Sequence, residues 1–265
     1  MLCATAQTVY MIYEEDTIER EAAQFELDTF PMNLNNVLDN PVDIVIKSIK
    51  VKIKENNREY AKLLNKDHVE ELRYKKLNKR RSYDNELQLG MFNLIEDNRY
   101  LEEELTALFE IKIIYAYKHL EINLKQLIGL AYPDEKTGKF YKWDNLIQFF
   151  TSKKVEVSKI KEYKRVNQLR IVNNAIKHSG RISDQSINSI LEFTGKTEFY
   201  YEDLERFYLR VNKLPLRFLN SLKNKIMNDL FDFPNIRIKT IAKSFRQRMT
   251  KEQVTRLSKE LLKYD

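Results

Sequence analysis

Seven apolar residues, Leu105, Phe109, Ile113, Ala116, Leu120, Leu124 and Leu127, follow one another at steps of three or four positions. An α-helix advances about 100° per residue, so these steps lay all seven along one side of a single long helix. Such a stripe must be buried, and a helix of this length needs several partners to bury it. The pattern predicts a helix over about Tyr100–Ala131. Pro133 and the polar run Asp134-Glu135-Lys136-Thr137-Gly138 end it.

The same period recurs elsewhere. Apolar positions near helical spacing run from Asp43 to Leu64, and a short amphipathic helix is predicted around Trp143–Phe150. Ile160, Tyr163, Val166, Leu169, Val172 and Ile176 mark a helix over Ser158–His178, stopped by Gly180. Leu204, Phe207, Val211, Leu214, Phe218, Leu222 and Ile226 mark another over Tyr201–Leu230, with a kink expected at Pro215. Between these two, Gly195-Lys196 separates Ser189–Phe193 from Thr197–Tyr200, which reads as a small β-hairpin. Pro31 and Pro41 bracket a loop over Asn33–Asn40. Only five Gly and five Pro occur in 265 residues, so turns are few and elements long. The fold class expected is all-α, apart from the hairpin.

The ends and the charge distribution add less. From Ile236 to Asp265 there are nine Lys or Arg against three Asp or Glu, with Val254, Leu257, Leu261 and Leu262 as a narrow apolar stripe; one or two helices are expected there. The whole chain carries 46 Lys and Arg against 39 Asp and Glu, a formal charge of +7, which suits a polyanionic partner without requiring one. Lys75, Lys76, Lys79, Arg80 and Arg81 cluster either as a solvated surface or as an anion-binding patch. Cys3 is the single cysteine, so neither an internal disulfide nor a cysteine zinc site can form. Met1 to Tyr13 lacks the basic start of a signal peptide, and no run approaches the roughly 18 apolar residues of a membrane span. A cytoplasmic protein with no membrane partner is expected.

Several chemistries are excluded. Gly is too scarce for a phosphate-binding loop, and there is no Gly-x-Ser-x-Gly elbow. His68, His119 and His178 are far apart and form no ligand pair, so no metal and no cofactor is expected. One constellation remains, at the end of the helix that closes on His178. Arg170, Asn174 and His178 follow at four-residue steps on one side, with Asn167 a turn earlier. Asn173 and Lys177 form a neighbouring line. Adjacent Asn residues are poor helix formers, and a local cost without structural gain is where function is expected. A histidine can move a proton near neutral pH, and Arg and Asn can bind phosphate oxygens. That set suits cleavage of RNA through its own 2′-hydroxyl. A purely structural role for the same residues is equally compatible with their chemistry: His178 caps helix carbonyls and the Asn pair bonds a neighbouring helix.

Asn173-Asn174-Ala175-Ile176-Lys177-His178, followed by Ser179-Gly180, resembles the motif of the HEPN superfamily (higher eukaryotes and prokaryotes nucleotide-binding domains). Its members are helical bundles with a helix ending in Arg-x(4–6)-His, often Arg-Asn-x-x-x-His. Leu105 to Ile128 looks like their long first helix, and the resemblance covers about Gln88 to Leu230. Asn173 stands where the motif has arginine, and Arg170 lies one turn upstream. The resemblance implies a HEPN-like bundle over residues 88–232, with an N-terminal helical extension over 1–87 and a basic helical tail over 233–265. It implies metal-independent endoribonuclease activity in a defence, abortive-infection or toxin–antitoxin system, with the site completed across a homodimer. His178, Asn174, Asn173 and Arg170 would be catalytic, and Lys177, Arg181 and Asn167 would bind RNA. The alternative is a catalytically inactive helical adaptor or antitoxin-like subunit with a protein or nucleic-acid partner.

Overall fold

The structure, a computed structural model, describes residues 21–30, 39–77, 84–140, 142–178, 180–182 and 185–262. Cys3, the Met1–Tyr13 stretch, residues 33–38 of the expected loop, and Lys79, Arg80 and Arg81 of the basic cluster lie outside the described residues. The described chain is mostly helical: α1 (21–29), α2 (Asp39–Lys76), α3 (Asn85–Ala131), α4 (Trp143–Ser152), α5 (Tyr163–His178), α6 (Gln185–Asn188), α7 (Tyr201–Val211), α8 (Leu214–Phe231), α9 (Asn235–Arg248) and α10 (Lys251–Leu261). Short 3-10 turns occupy Thr137–Lys139, Val157–Lys159 and Leu191–Phe193. Among the described residues, no helix is long and apolar enough to cross a membrane.

The described residues fall into two compact units. One holds the described residues within Leu34–Leu120 and Lys164–Pro215; the other holds those within Met1–Asn33, Glu121–Tyr163 and Leu216–Asp265.

In the first unit, α2 and α3 run antiparallel as a helical hairpin. Asn56 Nδ2 donates to Asn98 Oδ1 at 3.0 Å, Asn98 Nδ2 to Asn57 Oδ1 at 2.8 Å, and Gln88 Nε2 to Asp67 Oδ1 at 3.1 Å. At the other end Lys112 pairs with Asp43. Partners thus rise along α2 as they fall along α3, in one register. Ile46, Ile49, Ile53, Asn56, Tyr60, Leu63 and Asp67 step by three and four along α2 and are buried or half-buried. Leu87, Met91, Leu94, Asn98, Leu101 and Leu105 do the same along α3. This is the seam of a two-stranded coiled coil, and its hydrogen-bonded polar positions fix register and direction.

Helix α3 therefore starts fifteen residues before the expected Tyr100. The Asp84 carboxylate accepts the Leu87 N–H at 3.1 Å and caps the new start. Likewise α2 begins at Asp39, not after a loop ending at Asn40. Pro41 falls in its first turn, where a missing N–H breaks nothing.

The rest of this unit packs around α7. Leu105, Phe109, Ile113, Val166, Leu169, Val172, Leu204, Phe207 and Val211 are buried. The turn at Leu191–Phe193 packs on α7, and the Phe193 ring meets Phe199 at 5.3 Å and Phe207 at 5.4 Å. The expected β-hairpin is absent from the described residues. Residues 191–193 wind into a 3-10 turn, because Ile190 and Phe193 are buried together three positions apart. The one extended pairing among the described residues is a bridge between Arg181 and Glu198, with Ile182 N–H donating to Thr197 O at 3.0 Å.

In the second unit, Leu124, Leu127, Ile128, Phe150, Phe218, Leu222 and Ile226 form the core. Phe149 packs against Tyr132 at 5.3 Å and Phe140 at 4.8 Å. Lys223 Nζ donates to the Asp28 carbonyl at 2.7 Å and ties α8 to α1. The expected kink is a break instead: α7 ends at Val211 and α8 starts at Leu214. Pro215 has no N–H for the Val211 carbonyl and its ring clashes with that carbonyl, so the helix stops there. Helix α5 starts at Tyr163 rather than Ser158, since Glu162 at φ 68° lies in the left-handed region.

Candidate functional site

Helix α5 carries the constellation. It contains no acidic residue, while Lys164, Arg165, Arg170, Lys177 and His178 are basic. Its end is closed as expected by Gly180, at φ 60°, whose N–H returns to the Ala175 carbonyl at 3.0 Å. Gly bears this left-handed conformation without a Cβ penalty.

Burial sorts the polar residues into two groups. Val166, Leu169, Val172 and Asn173 form the buried side. Asn167, Arg170 and Asn174 are half-buried and His178 is exposed, so these four make one accessible row along the helix. Lys177 and Arg181 are exposed beside its end. Arg170 Nε donates to Asn167 Oδ1 at 2.9 Å, which holds the guanidinium along the row. The structure thus brings Asn167, Arg170, Asn174 and His178 together on one side. Asn173 does not join them.

Asn173 is 1% exposed. Its Nδ2 donates to Asn174 Oδ1 at 3.1 Å, while its Oδ1 is buried with no hydrogen-bond partner among the described residues. Leaving a buried acceptor unsatisfied costs roughly 1–3 kcal/mol. The Asn173–Asn174 bond uses the Asn174 oxygen as acceptor and leaves its –NH2 group as a donor. The accessible row therefore offers a guanidinium, an amide donor and an imidazole in sequence, a set that fits phosphate oxygens.

A partly buried network ties α5 to α7. Arg210 of α7 donates from Nε and Nη2 to the two Glu192 carboxylate oxygens at 2.6 and 2.8 Å, and from Nη1 to Gln168 Oε1 on α5 at 2.9 Å. Burial alone would raise the Glu192 carboxyl. The hydrogen bonds from Arg210 and the backbone, with the Arg210 and Arg206 charges, outweigh it and hold the group below the ordinary carboxylate range. Sequence reading missed this network, because its three members lie on three separate elements.

It also missed a cavity of about 430 Å³ in the same unit, lined on α3 by Arg99, Glu102 and Glu110 and near α7 by Tyr200, Tyr201 and Glu202. Burial, then the Glu202 charge, raises the Glu102 carboxyl; burial raises Glu110; burial and then Glu202 push Tyr201 up to about 12. Its acidic lining repels phosphate. Among the described residues no group of three or more His, Cys, Asp or Glu is placed to hold a metal ion.

No protein-family model matches the chain, and neither a curated protein nor a solved structure matches it.

Proposed function

We propose that this is a HEPN-like, RNA-directed protein acting as a metal-independent endoribonuclease in a defence or growth-arrest setting, with its active centre on the accessible side of α5. The observation that carries the reading is the row Asn167–Arg170–Asn174–His178, ending in an exposed imidazole on a helix without acidic residues. In this reading the RNA 2′-hydroxyl attacks the neighbouring phosphorus and the bond to the 5′-oxygen breaks. His178 takes or returns the proton, and Arg170 and Asn174 hold the phosphate oxygens as charge builds on them. Lys177 and Arg181 hold the flanking phosphates. Asn173, being buried, supports Asn174 rather than touching RNA.

The test is incubation of the full chain with total RNA and tRNA under EDTA, beside His178→Ala. The reading expects cleavage by the wild type that leaves a 2′,3′-cyclic phosphate, with loss of about 100-fold or more in the variant. Cleavage absent in the wild type, or equal in both, refutes it.

A second reading is the inactive helical adaptor. Exposed Leu64, Leu89, Phe92 and Ile95 on the α2–α3 hairpin favour it, since single apolar side chains are ordinary but several on one hairpin suit a protein partner. It expects a partner that co-purifies with the wild type and is lost from Phe92→Glu.

A further inference from the structure

Helix α9 is amphipathic, and among the described residues its apolar side stays about half exposed, although α10 packs on the helix. Ile238, Ile241 and Phe245 step by three and four, and they are 51%, 38% and 45% exposed. No residue of α9 is buried. Its sequence, from Asn235 to Arg248, holds five Lys or Arg and no Asp or Glu.

The position of those charges is specific. At about 100° per residue, Lys239 and Arg246 lie on one border of the apolar stripe and Arg248 lies on the other. Lys243 lies further round on the first side. Among the described residues none of these four has an acidic partner. Arg237 is used differently: its guanidinium donates to the carbonyls of Asn228, Asp229 and Asp232 and sits 4.2 Å from the Phe233 ring. It caps the end of α8 and anchors the start of α9 to it.

We propose that α9 docks on an anionic lipid surface, lying in the interface with its apolar stripe down. Long basic side chains bordering an apolar stripe can bury their stems in the acyl boundary and reach up to phosphate headgroups. A nucleic acid would use the same charges, but it gives Ile238, Ile241 and Phe245 no apolar environment. A helix that lies on the surface needs no spanning segment, so the absence of such a helix does not oppose it. The proposal rests on α9 alone and is independent of the RNA reading of α5.

The experiment is co-sedimentation of the full chain with phosphatidylcholine vesicles with and without phosphatidylglycerol, at low and high salt. Wild type is expected to bind only the phosphatidylglycerol vesicles and to be released by salt. Phe245→Glu and Ile238→Glu should each weaken binding by roughly tenfold or more, and both remain folded by thermal melt because the side chains are exposed. Lys239→Gln and Arg246→Gln should each weaken it by roughly fivefold. The same variants are tested by gel shift on single-stranded RNA. Failure to bind anionic vesicles, or binding indifferent to both glutamate variants, overturns the proposal. So does an RNA shift weakened by the glutamine variants in a chain that ignores vesicles, which assigns α9 to nucleic acid.

Discussion

Arg210→Met tests whether the network behind α5 holds the candidate site in place. The Arg210 side chain is a third exposed, whereas Glu192 is 7% exposed. The substitution keeps most of the side-chain volume but strands a carboxylate in the interior and removes the donor to Gln168. Breaking a buried pair on one side costs about 3–5 kcal/mol. Water reaching the exposed third of Arg210 lowers this, to about 2–3 kcal/mol. Glu192→Leu with Arg210→Met removes both charges, and the double variant should return to within about 1 kcal/mol of wild type. The pH dependence has a definite sign. The folded carboxyl lies below its unfolded value, so its contribution is present above the unfolded value of about 4.3 and is lost as pH falls through the folded one. Urea denaturation followed by far-UV circular dichroism, repeated from neutral to acid pH, measures all of this. A loss under about 0.5 kcal/mol for Arg210→Met would make the pair an ordinary surface one. A double variant as damaged as the single would show that the side-chain volume, not the charge, matters.

Two smaller predictions follow from local structure. Asp84→Ala should cost about 1 kcal/mol and fray the start of α3, seen as faster amide exchange over the first turn, because it removes the cap on Leu87. Glu110→Gln should stabilise the chain at neutral pH in thermal melts, with the gain vanishing in acid. Burial raises this carboxyl when folded, so its contribution is present below the unfolded value and lost as pH rises through the folded one, opposite in sign to Glu192.

The parts of the fold that were legible are those where apolar residues carry the helical period. The stripe from Leu105 to Leu127 is buried throughout, and Gly180 closes α5 where a left-handed residue was needed. The first turns of α3 escaped because their seam includes Asn98, a polar residue in a half-buried position. Only its partners on α2, Asn56 and Asn57, explain it, and they lie about forty residues away. Gly195, at φ 73°, does sit in a turn, but the segment before it, Leu191–Phe193, winds into a 3-10 turn rather than extending as a strand. On α5 one orientation was not legible. Val166, Leu169 and Asn173 step by three and four, so Asn173 belongs to the buried stripe by position despite its polarity.

Under the proposed HEPN-like reading, that orientation bears on Asn173, which stands where the motif has arginine. If Asn173 simply replaced a surface arginine, Asn173→Arg would restore the motif. Its side chain is instead 1% exposed and bonded to Asn174, on the buried side with Val166, Leu169 and Val172. A guanidinium there must either lose its hydration or push α5 away from its neighbours. A buried charge without a partner costs several kcal/mol, so Asn173→Arg should lower stability by about 3 kcal/mol or more and should not raise RNA binding. Arg170→Ala, on the accessible row, should leave stability within about 0.5 kcal/mol while weakening RNA binding and its salt dependence together. The paired measurement is urea denaturation with RNA affinity across a salt series. An Asn173→Arg chain that folds with wild-type stability and gains RNA cleavage would refute the burial of Asn173 and return the arginine's role to that position.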